Sequence, residues 1–535
     1  MRIRDFYHVK GGKPLKKLEN PKNIKAVVIN GNSLTLEELV AVARYGAKVT
    51  LDEDALKRIA ASRDIIESIR EEGRTAYGIT TGFGDFADTA VPEEMSNKLS
   101  TNLILSHATA TGEPYKVEQA RAMMLLRANA LSVGLSGVRP IVVEMLVDML
   151  NKGVTPFIPQ KGSLGASGDL APLSHMGLVM LGLGEAYYDG ELLTGKEAMD
   201  RAGIKALDSF SSKEGLGITN GTCAMTGVGA LNLYDAICAA DKADLISAMT
   251  LTALTGQYSA FQERLHTARG HKGQIEVAEH MRRITENCEL GTKHQGLRVQ
   301  DAYSLRCIPQ VHGAVRDALE FILEKVSIEL NAVTDNPLIF PEDGEVVSGG
   351  NFHGEPMALP FDYLGIACSE LASISERRTE RMVNADLSNG LPPFLAVEGG
   401  LNSGFMIVQY SSASMVSENK VLAHPASVDS IPSSAGQEDF VSMGTTAARK
   451  SGQILENLLS VLAFELLTAC QAIDLRRMID GDGALSPVME AVYREVRKEV
   501  SFMDVDREIR VDIKAVEEII RSEKLTDILR EYIGG

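Results

Sequence analysis

The sequence predicts a mainly α-helical protein, a long central helix bundle joined to a smaller mixed N-terminal part. Three observations carry that expectation. Gly and Pro cluster in the first 220 residues and again between about 335 and 445, several long stretches carry few of either, and those stretches keep apolar residues at i, i+3, i+4 and i+7 over many turns. The change of pattern divides the chain into residues 1–222 and residues 223–535, two parts of one intertwined unit.

In chain order, AVVING (26–31) reads as a short strand. Residues 115–150, 225–262, 309–333, 362–388 and 447–480 read as long helices. Between the third and fourth, PLIFPEDGEVVSGGNF (337–352) reads as a hairpin turning at Asp343-Gly344. Ile454, Leu455, Leu458, Leu459, Val461, Leu462, Phe464, Leu466 and Leu467 cover nearly the whole circumference of the last helix. Such a helix is surrounded by others or by another subunit, so oligomerisation is expected. The stripe Met123, Met124, Leu125, Leu126 reads as core packing, and the tail from 484 to 535 as a charged helical segment with a solvated face.

With 54 basic against 72 acidic residues the net charge is −18, which argues against a nucleic-acid partner. Hydrophobic residues at 44% and charged ones at 24% leave room for a large packed core. The six cysteines form no CxxC, which removes zinc ribbons and thioredoxin-like motifs and suits a reducing compartment. The N-terminal segment 1–23 is polar, and the most apolar helical run carries Glu456, Asn457 and Glu465, so a cytoplasmic protein without a membrane span is expected. There is no Walker loop, no GxGxxG after a strand and no HExxH, and the histidines show no ligand spacing, so neither a nucleotide cofactor nor a metal is expected.

The informative segment is Gly162-Ser163-Leu164-Gly165-Ala166-Ser167-Gly168-Asp169-Leu170-Ala171-Pro172-Leu173-Ser174-His175. Ala-Ser-Gly alone is weak, and its plainest interpretation is a flexible turn before a helix. Its chemistry raises the odds. Gly168 has an unhindered nitrogen, Ala166 an accessible carbonyl, and Ser167 can lose water to leave a methylidene, so the three can cyclise into an electrophile.

That string resembles the prosthetic-group motif of the aromatic amino acid ammonia-lyase and aminomutase family. Similar segments follow in family order: AYGITTGFG (76–84), NLILSHATATG (102–112), GITNGT (217–222), VQDAYSLRCIPQVHG (299–313), TDNPL (334–338), GGNFHGEP (349–356), ERRTERM (376–382), NSGFMIVQY (402–410) and SENKVLAHPASVDSIPSSAGQEDFVSM (417–443). The resemblance implies a methylidene-imidazolone made from Ala166, Ser167 and Gly168 with no external cofactor, a small-molecule amino acid substrate, and a homotetramer whose active sites are shared between subunits.

Such an electrophile answers a real difficulty, because ammonia leaves poorly and the β-proton of an amino acid is weakly acidic. Covalent attachment splits the hard step into easier ones. The base implied by the resemblance is Tyr77, although a free phenol has a pKa near 10 and the site must lower it. Alone, Tyr77 would pass for a residue packing its glycine-rich turn. Arg306 offers two parallel donors to a substrate carboxylate. Gln300, Tyr303 and Arg306 stand at i, i+3 and i+6 and project to one side if the segment opens a helix; they match family positions that bind substrate and prosthetic group. Asn220 resembles the asparagine bonded to the imidazolone or the substrate, and Phe352 a pocket-lining aromatic.

Ser106-His107 and Glu438 match the family's selectivity positions as histidine-specific members carry them. An imidazole needs polar partners in an otherwise apolar pocket, and a carboxylate can pair with a ring N–H. The expected reaction is elimination of ammonia from L-histidine to give urocanate. Phe440 and Ala302 depart from the family pattern, and the N-terminus is extended by some twenty residues. Tyrosine or phenylalanine ammonia-lyase, 2,3-aminomutase and, remotely, a non-catalytic helical scaffold remain the alternatives.

Overall fold

A computed structural model describes residues 18–82, 84–86, 88–92 and 95–534; most of the polar N-terminal segment lies outside them. The helical expectation holds: the described residues form twenty α-helices and only short strands. Ala26–Ile29 pairs in parallel with Lys48–Leu51, and Leu338–Phe340 pairs with Glu345–Val347 as the expected hairpin, turning at Gly344. Among the described residues no sheet exceeds three strands.

The bundle is built from Cys223–Ala253, Ile308–Glu329, Glu355–Val383 and Gly444–Asp480, with Lys272–Ile284 packed on its flank. The last of these is buried around almost its whole circumference, as the run of Ile454 to Leu467 requires. Both Cys223–Ala253 and Gly444–Asp480 are long and apolar enough to cross a membrane, yet 83% and 94% of their most apolar stretches are buried within the fold. The run expected to reach 262 stops at Ala253, because Thr255 adopts φ +54 and turns the chain into a single 3-10 turn at Tyr258–Phe261. The run expected from 362 begins at Glu355 instead. Pro356 sits in its first turn, where the missing N–H breaks no helical bond. Residues 115–150 form two helices, Val117–Ser132 and Pro140–Lys152, and the tail forms three, each with a buried apolar stripe.

A chain of buried charges crosses the bundle. Asp244 accepts from His312 Nδ1 at 2.7 Å, Arg316 Nη2 at 2.6 Å and His280 Nδ1 at 3.2 Å. His312 Nε2 faces Arg378 at 3.3 Å, and Arg378 donates to both oxygens of Glu465 at 2.6 and 2.9 Å. Thr250 and Ser375 complete the shell around Glu465. Burial opposes the Asp244 charge, but the Arg316 guanidinium and the two histidines outweigh it and hold the carboxyl well below the usual range.

Removing one partner of such a group leaves the others uncompensated, so Asp244→Asn should cost about 3–5 kcal/mol near neutral pH. Because the folded pKa is depressed, the stabilisation is present above the ordinary carboxylate range and is lost as the pH falls through and below it. Denaturant midpoints for the parent and Asp244→Asn should therefore converge below about pH 4. A gap independent of pH would refute this account.

Candidate active site

The segment 162–168 links the strand Pro159–Lys161 to the helix Leu170–Met180 and packs against the starts of two bundle helices. Asp169 makes that junction. One carboxylate oxygen accepts from the backbone N–H groups of Ala224 at 2.9 Å and Met225 at 2.8 Å, in the first turn of Cys223–Ala253. The other accepts from Ser163 Oγ at 2.9 Å and from Thr445 Oγ1, in the first turn of Gly444–Asp480. Complete burial pushes its pKa up, against these four bonds that favour the charge.

Beside it, the Gly221 N–H donates to the Ser167 carbonyl at 3.3 Å and the Asp169 N–H donates to the Gly221 carbonyl at 2.7 Å. The two strands lie so close that a Cβ on Gly168, at φ +76, would stand 2.2 Å from the Gly221 oxygen. Only glycine fits there. Ser167 Oγ donates to Glu438 Oε1 at 3.0 Å, and Ser433 Oγ donates to Glu438 Oε2 at 3.2 Å. Ser434 and Ala435, at φ +51 and +55, hold the adjoining turn in the left-handed region.

Ser167 and Glu438 line a cavity of about 1020 Å³ together with Tyr77, Ser106, His107 and Asn220. Six of the expected site residues, far apart in sequence, therefore meet around one space; Ala166 and Gly168 flank Ser167 in the chain but do not line the cavity. Tyr77 comes from the loop after Glu53–Glu71, and its hydroxyl accepts the Gly84 N–H at 3.2 Å. His107 ends the helix Ser96–His107, with Nδ1 2.9 Å from Ser106 Oγ. Ser106 Oγ has its own acceptor in the Leu103 carbonyl at 3.2 Å, so the ring hydrogen belongs on Nδ1 and Nε2 is left as an acceptor. Burial lowers the His107 pKa and favours that neutral form. Asn220 follows Glu214–Thr219, and its Oδ1 is buried without a hydrogen-bond partner.

Gln300, Tyr303, Arg306 and Phe352 do not line this cavity within one chain. Only Tyr303–Arg306 is helical at that point, so Gln300 stands outside the expected helical face. Gln300 is exposed, Tyr303 is 72% exposed, and Arg306 lies 4.7 Å over the Tyr303 ring with its Nε unpartnered. Phe352 is half-buried beside His353, whose ring stacks on Phe440. Several supporting residues escaped the sequence reading: Asp169, Ser163, Thr445, Ser433, and the fully buried ion pair Lys213–Asp335 at 2.6 Å. Asp169, Ser163, Ser433 and Asp335 stand inside the motif segments quoted above, whereas Thr445 and Lys213 carry no local signature.

A profile described as aromatic amino acid lyase matches residues 34–498. A histidine ammonia-lyase of Caldanaerobacter subterraneus subsp. tengcongensis is 56% identical over 509 residues, 95% of this chain and 99% of its own. The crystal structure of histidine ammonia-lyase from Trypanosoma cruzi superposes with a TM-score of 0.88 at 41% identity, covering 95% of both chains. That of tyrosine aminomutase from Streptomyces globisporus gives 0.89 at 38% identity, over 95% of this chain and 99% of the other. The chain belongs to the aromatic amino acid lyase family and is an ammonia-lyase.

A side chain at position 168 should force the paired strands apart. Gly168→Ala is expected to cost about 1–3 kcal/mol from the left-handed backbone, before any effect of the contact with Gly221. An unchanged denaturant midpoint would show that the two strands separate freely.

Proposed function

We propose that the protein eliminates ammonia from L-histidine to give urocanate, using a methylidene-imidazolone formed from its own Ala166-Ser167-Gly168. One observation carries the substrate choice: the Glu438 carboxylate is bonded to Ser167 in a cavity that also holds Ser106 and neutral His107. The names of its relatives point the same way.

The residues suit the prosthetic group. Gly168, pressed against the Gly221 backbone where no side chain fits, keeps the nitrogen that must close the ring unhindered, and the orphaned Asn220 Oδ1 offers an unused acceptor in the cavity that Ser167 lines. Once formed, the methylidene-imidazolone supplies an electrophilic carbon for the substrate amine and turns ammonia into a better leaving group. Glu438 pairs with an imidazole N–H of the substrate, and His107 Nε2 accepts from a second donor. Tyr77 Oη takes the β-proton. Its contact with the Gly84 N–H holds the hydroxyl at the cavity wall.

The carboxylate clamp is attributed to Arg306, with Gln300 and Tyr303 beside it and Phe352 as an apolar wall, all supplied by neighbouring copies in a homotetramer. Their absence from the cavity of a single chain and the exposure of Tyr303 favour this arrangement. Val299, 99% exposed within a single chain, belongs to the same surface. A cytoplasmic setting follows from the same assignment, with all six cysteines unpaired.

Purified protein incubated separately with L-histidine, L-tyrosine and L-phenylalanine should release ammonia and urocanate from histidine alone. Coumarate or cinnamate would overturn the role of Glu438, and a β-amino acid without free ammonia would make the protein an aminomutase, as the Streptomyces likeness allows. Tyr77→Phe should lose about 10²–10⁴ in rate if Tyr77 is the base. Glu438→Gln should impair histidine more than phenylalanine, and equal losses would remove the imidazole contact.

A further inference from the structure

Arg127 lies on the helix Val117–Ser132, 0% exposed, behind the wall of the cavity. Its Nη1 donates to the Asn220 carbonyl, while Nε and Nη2 have no hydrogen-bond partner. No ion pair involves it among the described residues, whereas the deeply buried Arg316, Arg378 and Arg476 are each paired with carboxylates. A guanidinium is always charged, and an unpaired one in the interior is costly; a residue kept only for packing would be Met or Leu.

The single bond it makes is well placed. The Asn220 carbonyl and the Gly221 N–H belong to the same peptide unit, and that N–H donates to the Ser167 carbonyl oxygen at 3.3 Å. A cation on the oxygen of a peptide draws electron density from its nitrogen and strengthens the N–H as a donor. Gly221 permits the approach, since a Cβ there would stand 2.4 Å from Thr334 Oγ1 and 3.1 Å from Arg127 Nη1.

We propose that Arg127 is a positioning residue for the dehydration of Ser167, acting through the Asn220–Gly221 peptide on the Ser167 carbonyl. This rests on the assignment of Ala166-Ser167-Gly168 as a self-made electrophile. In that dehydration the Ser167 Cα–H bond breaks and its electron pair spreads onto the Ser167 carbonyl oxygen. The pair then forms the Cα=Cβ bond as the Cβ–O bond breaks, and the proton and the hydroxide leave together as one water. The other water of maturation comes from closure of the Gly168 nitrogen on the Ala166 carbonyl carbon. Negative charge builds on the one oxygen that the polarised Gly221 N–H faces, as in an oxyanion hole whose donor is itself backed by a positive charge.

The test is intact-mass spectrometry of the full chain after a short expression pulse, followed over time in folded protein, for the parent, Arg127→Met, Arg127→Gln and Arg127→Lys. The parent should lie two waters below its encoded mass; an unmodified parent would sink the proposed electrophile and leave Arg127 without this role. In a matured parent, Arg127→Met and Arg127→Gln should lose water at least tenfold more slowly than the parent while keeping its circular dichroism and oligomer size. Arg127→Lys, which restores the charge, should come within about threefold of the parent. A merely structural arginine would not give that pattern. Maturation of the neutral variants at the parent rate would overturn the inference, as would failure of both to fold, which would make the guanidinium a requirement of the fold.

Discussion

The arrangement depends on one buried carboxylate. Asp169 accepts from two backbone N–H groups of the Cys223–Ala253 helix and from the hydroxyls of Ser163 and Thr445. An isolated charge at that depth would be costly, and four donors offset the penalty. The consequence is geometric. The first turns of two bundle helices, which carry N–H groups with no helical partner, are tied to the residue that follows Ala-Ser-Gly. Ser167 is thereby held between Gly221 on one side and Glu438 on the other.

A second layer of constraint lies deeper. The chain Asp244–His312–Arg378–Glu465 spans four bundle helices and fixes their register more specifically than apolar packing would, since each member leaves a costly vacancy if it slips. His312 stands two turns beyond Arg306, so the same network anchors the start of the helix that follows Tyr303–Arg306. The proposed carboxylate clamp at Arg306 thus adjoins a helix anchored by buried ion pairs. The loops bearing Tyr77 and Glu438 are held instead by turn hydrogen bonds, such as Thr80 N–H to the Ala76 carbonyl and Ser433 N–H to the Glu438 carbonyl, and by left-handed residues.

Much of this was legible in the chain itself. Long runs with a helical period become helices even across single glycines such as Gly227, Gly229 and Gly452, because burial of the apolar residues outweighs the roughly 1 kcal/mol that one glycine costs. Glu465, read as the mark of a buried helix, is fully buried against Arg378. The errors fell at helix ends. Thr255 enters a left-handed conformation that no local signal announces, and Glu355–Val383 starts across two prolines that taken alone argue for a loop. Ends depend on where the next element must go, and periodicity carries no such information.

By itself the sequence carried the fold class, through periodic patterning, and the loop that can form an electrophile, through residue chemistry; Tyr77, His107, Asn220 and Glu438 came into view only because their segments resemble those of a known family. Tertiary structure alone decided which of them meet. Ser167 and Glu438 are separated by 271 positions, and no local rule brings them together. Arg127 is of the same kind: a charged residue in an apolar helix is visible in sequence, but the absence of hydrogen-bond partners for its Nε and Nη2 among the described residues is a property of everything packed around it.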